Sequence, residues 1–285
     1  MKILLTGTNG QLGSEIKKKS GSFSFQWFFS DYDTFDLSQL HQIPQKLNQI
    51  KPDLIINCGA YTNVEYAEIE YDKANKINNL AVGAISKWVY KNDSKLIHIS
   101  TDYVFDGTSN TPIKEVDKTK PINKYGLTKL NGELACSQND PNSIIIRTSW
   151  VYSSFGNNFV KTMIKLMKEQ KYIDVVCDQI GAPTYASDLA DVIMQIINHN
   201  DWFPGIYNYS NEGEISWYDF ALYIREICDF KVKINPVMSN QFNSKAKRPK
   251  YSLLNKTKIK KTYGLKIPYF KDSLKKCISI LMNEK

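Results

Sequence analysis

The stretch "KILLTGTNGQLGSEI", Lys2 to Ile16, reads as a strand, a glycine-rich turn and the start of a helix. Gly7, Gly10 and Gly13 form G-x-x-G-x-x-G. Residues without side chains at this spacing permit a tight turn and let the backbone approach a pyrophosphate, whose charge then faces the N-terminus of a helix opening at Gln11. A second apolar run, "FQWFFS", leads into Asp31, 18 positions beyond Gly13. An acid about 20 residues after the last glycine holds the ribose hydroxyls of an adenine dinucleotide. The segment "SDYDTFD" offers Asp33 and Asp36 as rivals for that role. A carboxylate there repels a 2′-phosphate, so the charge favours NADH over NADPH.

Outward from this loop, the first half alternates short apolar runs with longer helical patterns. The runs are "KILLT", "FQWFF", "DLIIN", "KLIHIS" and "SIIIRTSW". Such runs fit a parallel sheet covered on both faces. Between the third and fourth, Ile77, Leu80, Ala81, Ala84, Ile85 and Trp88 recur at helical spacing, predicting a βαβ crossover. The expected fold is α/β. A Rossmann-like, doubly wound parallel sheet occupies residues 1–150, and residues 151–285 form mainly a smaller substrate-binding lobe with some segments returning to the first domain. No internal repeat or low-complexity linker separates the halves.

With 42% hydrophobic and 23% charged residues, a disordered or fibrous chain is excluded. Five scattered cysteines without a C-x-x-C pair, and only three histidines, favour a reduced, cytoplasmic protein and no metal site. The opening "MKILLTGTNG" reaches glycine too soon for a signal peptide or a membrane span. The net charge of +8 is dispersed, with a mild concentration in "NSKAKRPKYSLLNKTKIKK". That pattern does not point to nucleic acid, and a basic surface equally attracts a phosphorylated small substrate.

The catalytic signal is "KYGLTKLNGE", Lys124 to Glu133. Tyr125 and Lys129 stand four apart on a predicted helix, hence on one face. A nearby ammonium lowers the pKa of a phenol, so Tyr125 is expected below its free value and usable as a general acid toward the alkoxide formed by hydride transfer. Lys129 is also placed to hold cofactor ribose hydroxyls. In "IHISTDYVFDG" an apolar strand ends at Ser100 and Thr101, at the carboxyl edge where open α/β sheets bind ligands. A hydroxyl there can polarise a carbonyl.

Together these pieces resemble the extended short-chain dehydrogenase/reductase family, and within it the branch that reduces 4-keto nucleotide sugars. The resemblance runs nearly end to end through "TGTNGQLG", "INCGAYTNVEYAE", "ISTDYVFDG", "YGLTKLNGE", "RTSWVYSSFGNNFVKTM", "DQIGAPTYASDLA" and "RPKYSLLNKTKI". It implies that Thr101, Tyr125 and Lys129 are catalytic, with Gly10, Gln11 and Leu12 on the pyrophosphate. Ser30 or Asp31 then contacts the adenosine ribose, Asp36 and Leu37 flank the adenine, and Ala60, Tyr61 and Thr62 line the nicotinamide side. Thr101, Asp102, Tyr103 and Trp150 fall where the family contacts the deoxyhexose.

The implied reaction delivers hydride from NADH or NADPH to the 4-keto group of dTDP-4-dehydro-L-rhamnose, and the resemblance admits a homodimer. Gly59 stands where alanine is more usual, and Asn63, Glu65 and Tyr66 where Ala, Asp and Lys are. Sugar-dehydrating relatives place Asp-Glu after the catalytic threonine, whereas here Asp102 is followed by Tyr103. The alternatives are reduction of another nucleotide-linked keto-sugar, or a non-catalytic subunit like the regulatory subunit of methionine adenosyltransferase.

Overall fold

The computed structural model describes residues 1–241 and 244–283. The elements that position the site are β1 (Lys2–Thr6), α1 (Gln11–Ser20), β2 (Gln26–Ser30), α2 (Gln42–Ile50), β3 (Leu54–Asn57), α3 (Ala81–Lys91), β4 (Lys95–Thr101), α4 (Lys124–Asn139), β5 (Ile144–Thr148), α5 (Ala186–Ile197) and β6 (Gly205–Tyr209). The six strands pair in parallel in the order β6-β5-β4-β3-β1-β2. The chain runs outward from β1 to β2, then returns to the other side of β1 for β3. That reversal opens a crevice at the carboxyl ends of β1 and β3, where ligands of open α/β sheets bind.

The unbroken apolar runs follow from burial on both faces. In β1, Ile3 and Leu5 join a core with α1 and α5, while Leu4 points into a second core under α2 and α3. Residues beyond 150 complete this layer. Besides α5 and β6, the helix Thr257–Tyr263 places Ile259 and Tyr263 in the first core. The smaller lobe has its own core, in which Tyr152, Val160, Phe220, Ile224, Phe270 and Leu274 are buried. Among the described residues, three two-stranded pairings build it, including Ile180–Gly181 against Ile215–Ser216. Among the described residues, no helix is long and apolar enough to cross a membrane.

The βαβ crossover departs from its sequence reading at one point. Lys76–Leu80 form a single π turn ahead of α3. A wider turn rotates the following residues off the 3.6-residue register. Leu80, expected on the buried stripe, is 47% exposed, whereas Asn78 is fully buried. Asn78 bonds to both the N–H and the carbonyl of Tyr61, and its amide donates to Thr128 Oγ1 on α4 at 3.0 Å. One misplaced polar residue thus joins a crevice loop to the helix that carries Tyr125 and Lys129.

Beneath α4, Arg147 on β5 and Glu133 form a buried, two-pronged ion pair, with Nη2 to Oε2 at 2.7 Å and Nε to Oε1 at 2.9 Å. Ser100 donates to the same carboxylate, and Arg147 Nη1 donates to the Glu115 carbonyl. Removing one member leaves the other charge buried and unpaired. Glu133→Ala should therefore lower unfolding stability by about 3–5 kcal/mol in urea titration. A loss within the range of an exposed pair would mean that the pair does not fasten α4 to the sheet.

Candidate active site

A cavity of about 650 Å³ follows the crevice from the glycine-rich loop to the lobe. Its first wall is the loop after β1. Gly7 sits at φ +67°, and a β-carbon there would lie 2.7 Å from the Gly59 nitrogen. A β-carbon on Gly13 would lie 2.1 Å from the Gly7 carbonyl oxygen. Helix and loop therefore meet backbone to backbone, with no room for a side chain at either glycine. No side chain caps Gly10, so the first N–H groups of α1 remain available to an anion. This cradle fits the pyrophosphate of a dinucleotide.

Asp31 lines the adjoining wall. Its carboxylate accepts from the N–H of Asn9 at 2.6 Å and of Tyr32 at 2.7 Å, so it both braces the loop and faces the cavity. Asp36 and Leu37 line the same end. Burial pushes the Asp36 carboxyl up, but hydrogen bonds from Ser38 outweigh it and leave the net shift below the ordinary value. Ser30 does not reach the cavity lining; it is buried, and its carbonyl accepts from Thr8. Ala60 and Thr62 line the opposite side, whereas the Tyr61 hydroxyl turns to Glu70 at 2.9 Å.

Thr101, Asp102, Tyr103, Tyr125, Lys129 and Trp150 all meet at the inner end. Thr101 closes β4 in extended backbone; its hydroxyl accepts from the Tyr103 N–H at 3.2 Å and donates to Asp102 Oδ1 at 3.1 Å. Asn123 caps α4 by accepting from the Gly126 N–H, which starts the helix one residue before Tyr125. The Tyr125 ring meets Tyr103 edge-on at 5.8 Å, and its phenol lies within the influence of the Thr101 hydroxyl. Lys129 is 1% exposed and donates to the Ile99 carbonyl at 2.6 Å.

Burial governs the electrostatics here. It pushes the Tyr125 phenol up to about 12, against the hydrogen bond from Thr101 and with help from the Asp102 charge. The expectation of a depressed phenol pKa is therefore not met: burial outweighs every influence that favours the phenolate. The ammonium is directed at a carbonyl, and burial itself lowers Lys129 to about 8 despite Glu133. Asp102 is raised to about 7 by burial, against hydrogen bonds from Ser252 and Thr101. At neutral pH the phenol holds its proton and can donate it.

Sequence reasoning missed Trp217, Gly156 and Asn157, which also line the cavity. Gly156 and Asn157 lie within a block quoted for the family resemblance, but only the tertiary fold brings this segment to α1, where a β-carbon on Gly156 would lie 3.1 Å from Gln11 Cγ. Among the described residues, no group of three His, Cys, Asp or Glu is arranged to hold a metal ion.

A dinucleotide cradle opening onto a threonine, a tyrosine and a lysine defines the class: an extended short-chain dehydrogenase/reductase. The family model described as "RmlD substrate binding domain" matches residues 1–283. The chain is 35% identical to the dTDP-4-dehydrorhamnose reductase of Aggregatibacter actinomycetemcomitans, covering 96% of this chain and 97% of that one. A solved dTDP-4-dehydrorhamnose reductase from Clostridium acetobutylicum superposes with TM-score 0.95 at 39% identity, covering 99% and 100% of the two chains. That of Bacillus anthracis, solved in complex with NADP, gives 0.92 at 37% identity over 98% and 99%. The chain belongs to the dTDP-4-dehydrorhamnose reductase family.

The lowered Lys129 value has a measurable consequence. The unfolded chain keeps this proton up to its ordinary value of 10.5, while the folded protein releases it at about 8. The unfolded state binds more protons between those values, so this group makes wild-type stability rise with pH through that window. Lys129→Met lacks the rise. In urea titrations its stability relative to wild type should be highest near neutral pH and should fall toward about pH 9.5. A difference independent of pH would refute the buried, destabilised ammonium.

Proposed function

We propose that this protein reduces the 4-keto group of dTDP-4-dehydro-L-rhamnose to give dTDP-L-rhamnose, using NADH or NADPH. The observation that carries this is the meeting of Thr101, Tyr125 and Lys129 in the same cavity as the uncapped α1 N-terminus. Bound in the cradle, the nicotinamide cofactor supplies the hydride. Thr101 orients the sugar carbonyl by a hydroxyl hydrogen bond. As negative charge develops on that oxygen, Tyr125 passes its proton to it, so the C=O becomes CH–OH. Lys129 supplies positive charge beside the phenolate left behind, which stabilises it once proton transfer has occurred.

Asp31 is assigned to the adenosine ribose, and Asp102 and Trp150 to the deoxyhexose. The family's reaction and the lobe's place at the inner end of the cavity support this division. The sheet layer then serves the cofactor, and the lobe from Trp150 onward serves mainly the sugar. Surface-polysaccharide synthesis in the cytoplasm and assembly as a homodimer complete the reading on family resemblance and free cysteines.

Two substitutions test the roles separately. Tyr125→Phe should bind NADH almost normally while turnover of the keto-sugar falls by ~10²–10⁴, the usual worth of a positioned general acid. Lys129→Met should lose turnover and also bind NADH more weakly. Near-full turnover by Tyr125→Phe would exclude the phenol as acid. Asp31→Ala removes the charge facing a 2′-phosphate and should raise NADPH use relative to NADH. Unchanged selectivity would withdraw the assignment of Asp31.

A further inference from the structure

Trp150 leaves β5 with φ at +48°, a backbone conformation that bulky side chains rarely adopt. Such strain persists only where the surroundings fix it. Trp217, the first residue of the helix Trp217–Ile227, lies flat against it, with ring centroids 3.6 Å apart and planes within 9°. Gly181, on the short strand paired with the one that delivers Trp217, packs on Trp150. A β-carbon at Gly181 would lie 3.0 Å from the indole atoms Cε2 and Cζ2.

The lobe thus holds Trp150 on two sides. The position of Trp217 is itself fixed, because Ser216 and Asp219 form a reciprocal capping box at the start of its helix. Behind Trp217, Phe159 packs at 4.6 Å. Both tryptophans are only half-buried, and both line the cavity, unlike the neighbouring core residues Phe220 and Tyr152.

We propose that Trp217 is a positioning residue for sugar binding. Its ring fixes the plane of Trp150, and the stacked pair forms an aromatic wall that receives the hexose of the nucleotide sugar. The inference deepens the reductase reading and rests on it for the sugar's identity. An aromatic face suits the C–H side of a deoxyhexose and disfavours burying an unpartnered hydroxyl. Trp217 lies in the lobe, at the inner end of the cavity, and its effect should fall on the sugar and not on the cofactor.

The test uses the full chain, dTDP-4-dehydro-L-rhamnose, its reduced product and NADH. Two stacked indoles give an exciton couplet in circular dichroism. In the wild type, the keto-sugar or its product should change that couplet, and NADH alone should not. W217L keeps apolar volume against Phe159 but not the ring face. It should lose the couplet and about tenfold in kcat/KM, mainly through KM, with NADH binding within about twofold of wild type. W217F, which keeps a ring face, should recover most of the loss.

Wild-type kcat/KM in W217L overturns the inference, and so does a wild-type couplet unmoved by either sugar nucleotide. The couplet measurement decides even if W217L fails to fold. A wild-type protein that oxidises no NADH with the keto-sugar, yet shows the couplet change, sinks the reductase reading and leaves the aromatic wall standing.

Discussion

The helix α4, which carries Tyr125 and Lys129, is seated on backbone. A β-carbon on Gly126 would stand 2.1 Å from the Tyr103 carbonyl oxygen, and one on Gly132 would stand 2.0 Å from that of Asn78. Neither neighbour is a flexible side chain that could turn aside. The two contacts fix α4 against the turn after β4 and against the π turn before α3. Tyr125 and Lys129 lie beside or between these glycines, so their reach into the cavity is set by a backbone contact and not by the packing of mobile side chains. The Glu133–Arg147 pair and the Asn78 bridge fasten the same helix from beneath and beside.

That seating explains the electrostatics. Bringing a phenol and an ammonium to the floor of a buried cavity disfavours the charged form of each, and here desolvation is the largest influence on both. Burial lowers the Lys129 ammonium and Glu133, one turn on, opposes that shift, while Arg147 pairs with the Glu133 carboxylate and Ser100 donates to it. The residue pair therefore stays poised with the phenol protonated. Negative charge appears only when a substrate oxygen demands it, which is the requirement of a general acid placed beside a hydride acceptor.

The two lobes give the cavity walls of different chemistry. The sheet presents backbone amides and the Asp31 carboxylate, and the lobe contributes the indoles of Trp150 and Trp217. Under the proposed function, the first wall would take phosphate and ribose and the second the sugar. Chain crossings by α5 and β6 tie the lobe to the sheet, and buried contacts such as Ser153 with Glu15 of α1 add to the attachment.

Much of this was legible in the linear sequence, because it depends on local periodicity. The glycine spacing from Gly7 to Gly13 pointed to a tight turn between β1 and α1, and the close backbone approaches at Gly7 and Gly13 are that turn. Continuous apolar strands determined a sheet buried on both sides. The four-residue interval determined that Tyr125 and Lys129 share a helix face. What the sequence could not determine depended on contacts between distant segments. Leu80 faces solvent because a π turn inserts one residue, and helical periodicity carries no trace of that insertion. Tyr61 leaves the cavity because Glu70 and Asn78 hold it elsewhere. The direction of the Tyr125 shift followed from burial, a property of the assembled cavity, where sequence spacing suggested the ammonium. Trp217 stands 67 positions from Trp150. Only the pairing of Ile215–Ser216 with Ile180–Gly181 brings the two rings together, since stacking requires a plane and a distance that residue identity alone does not contain.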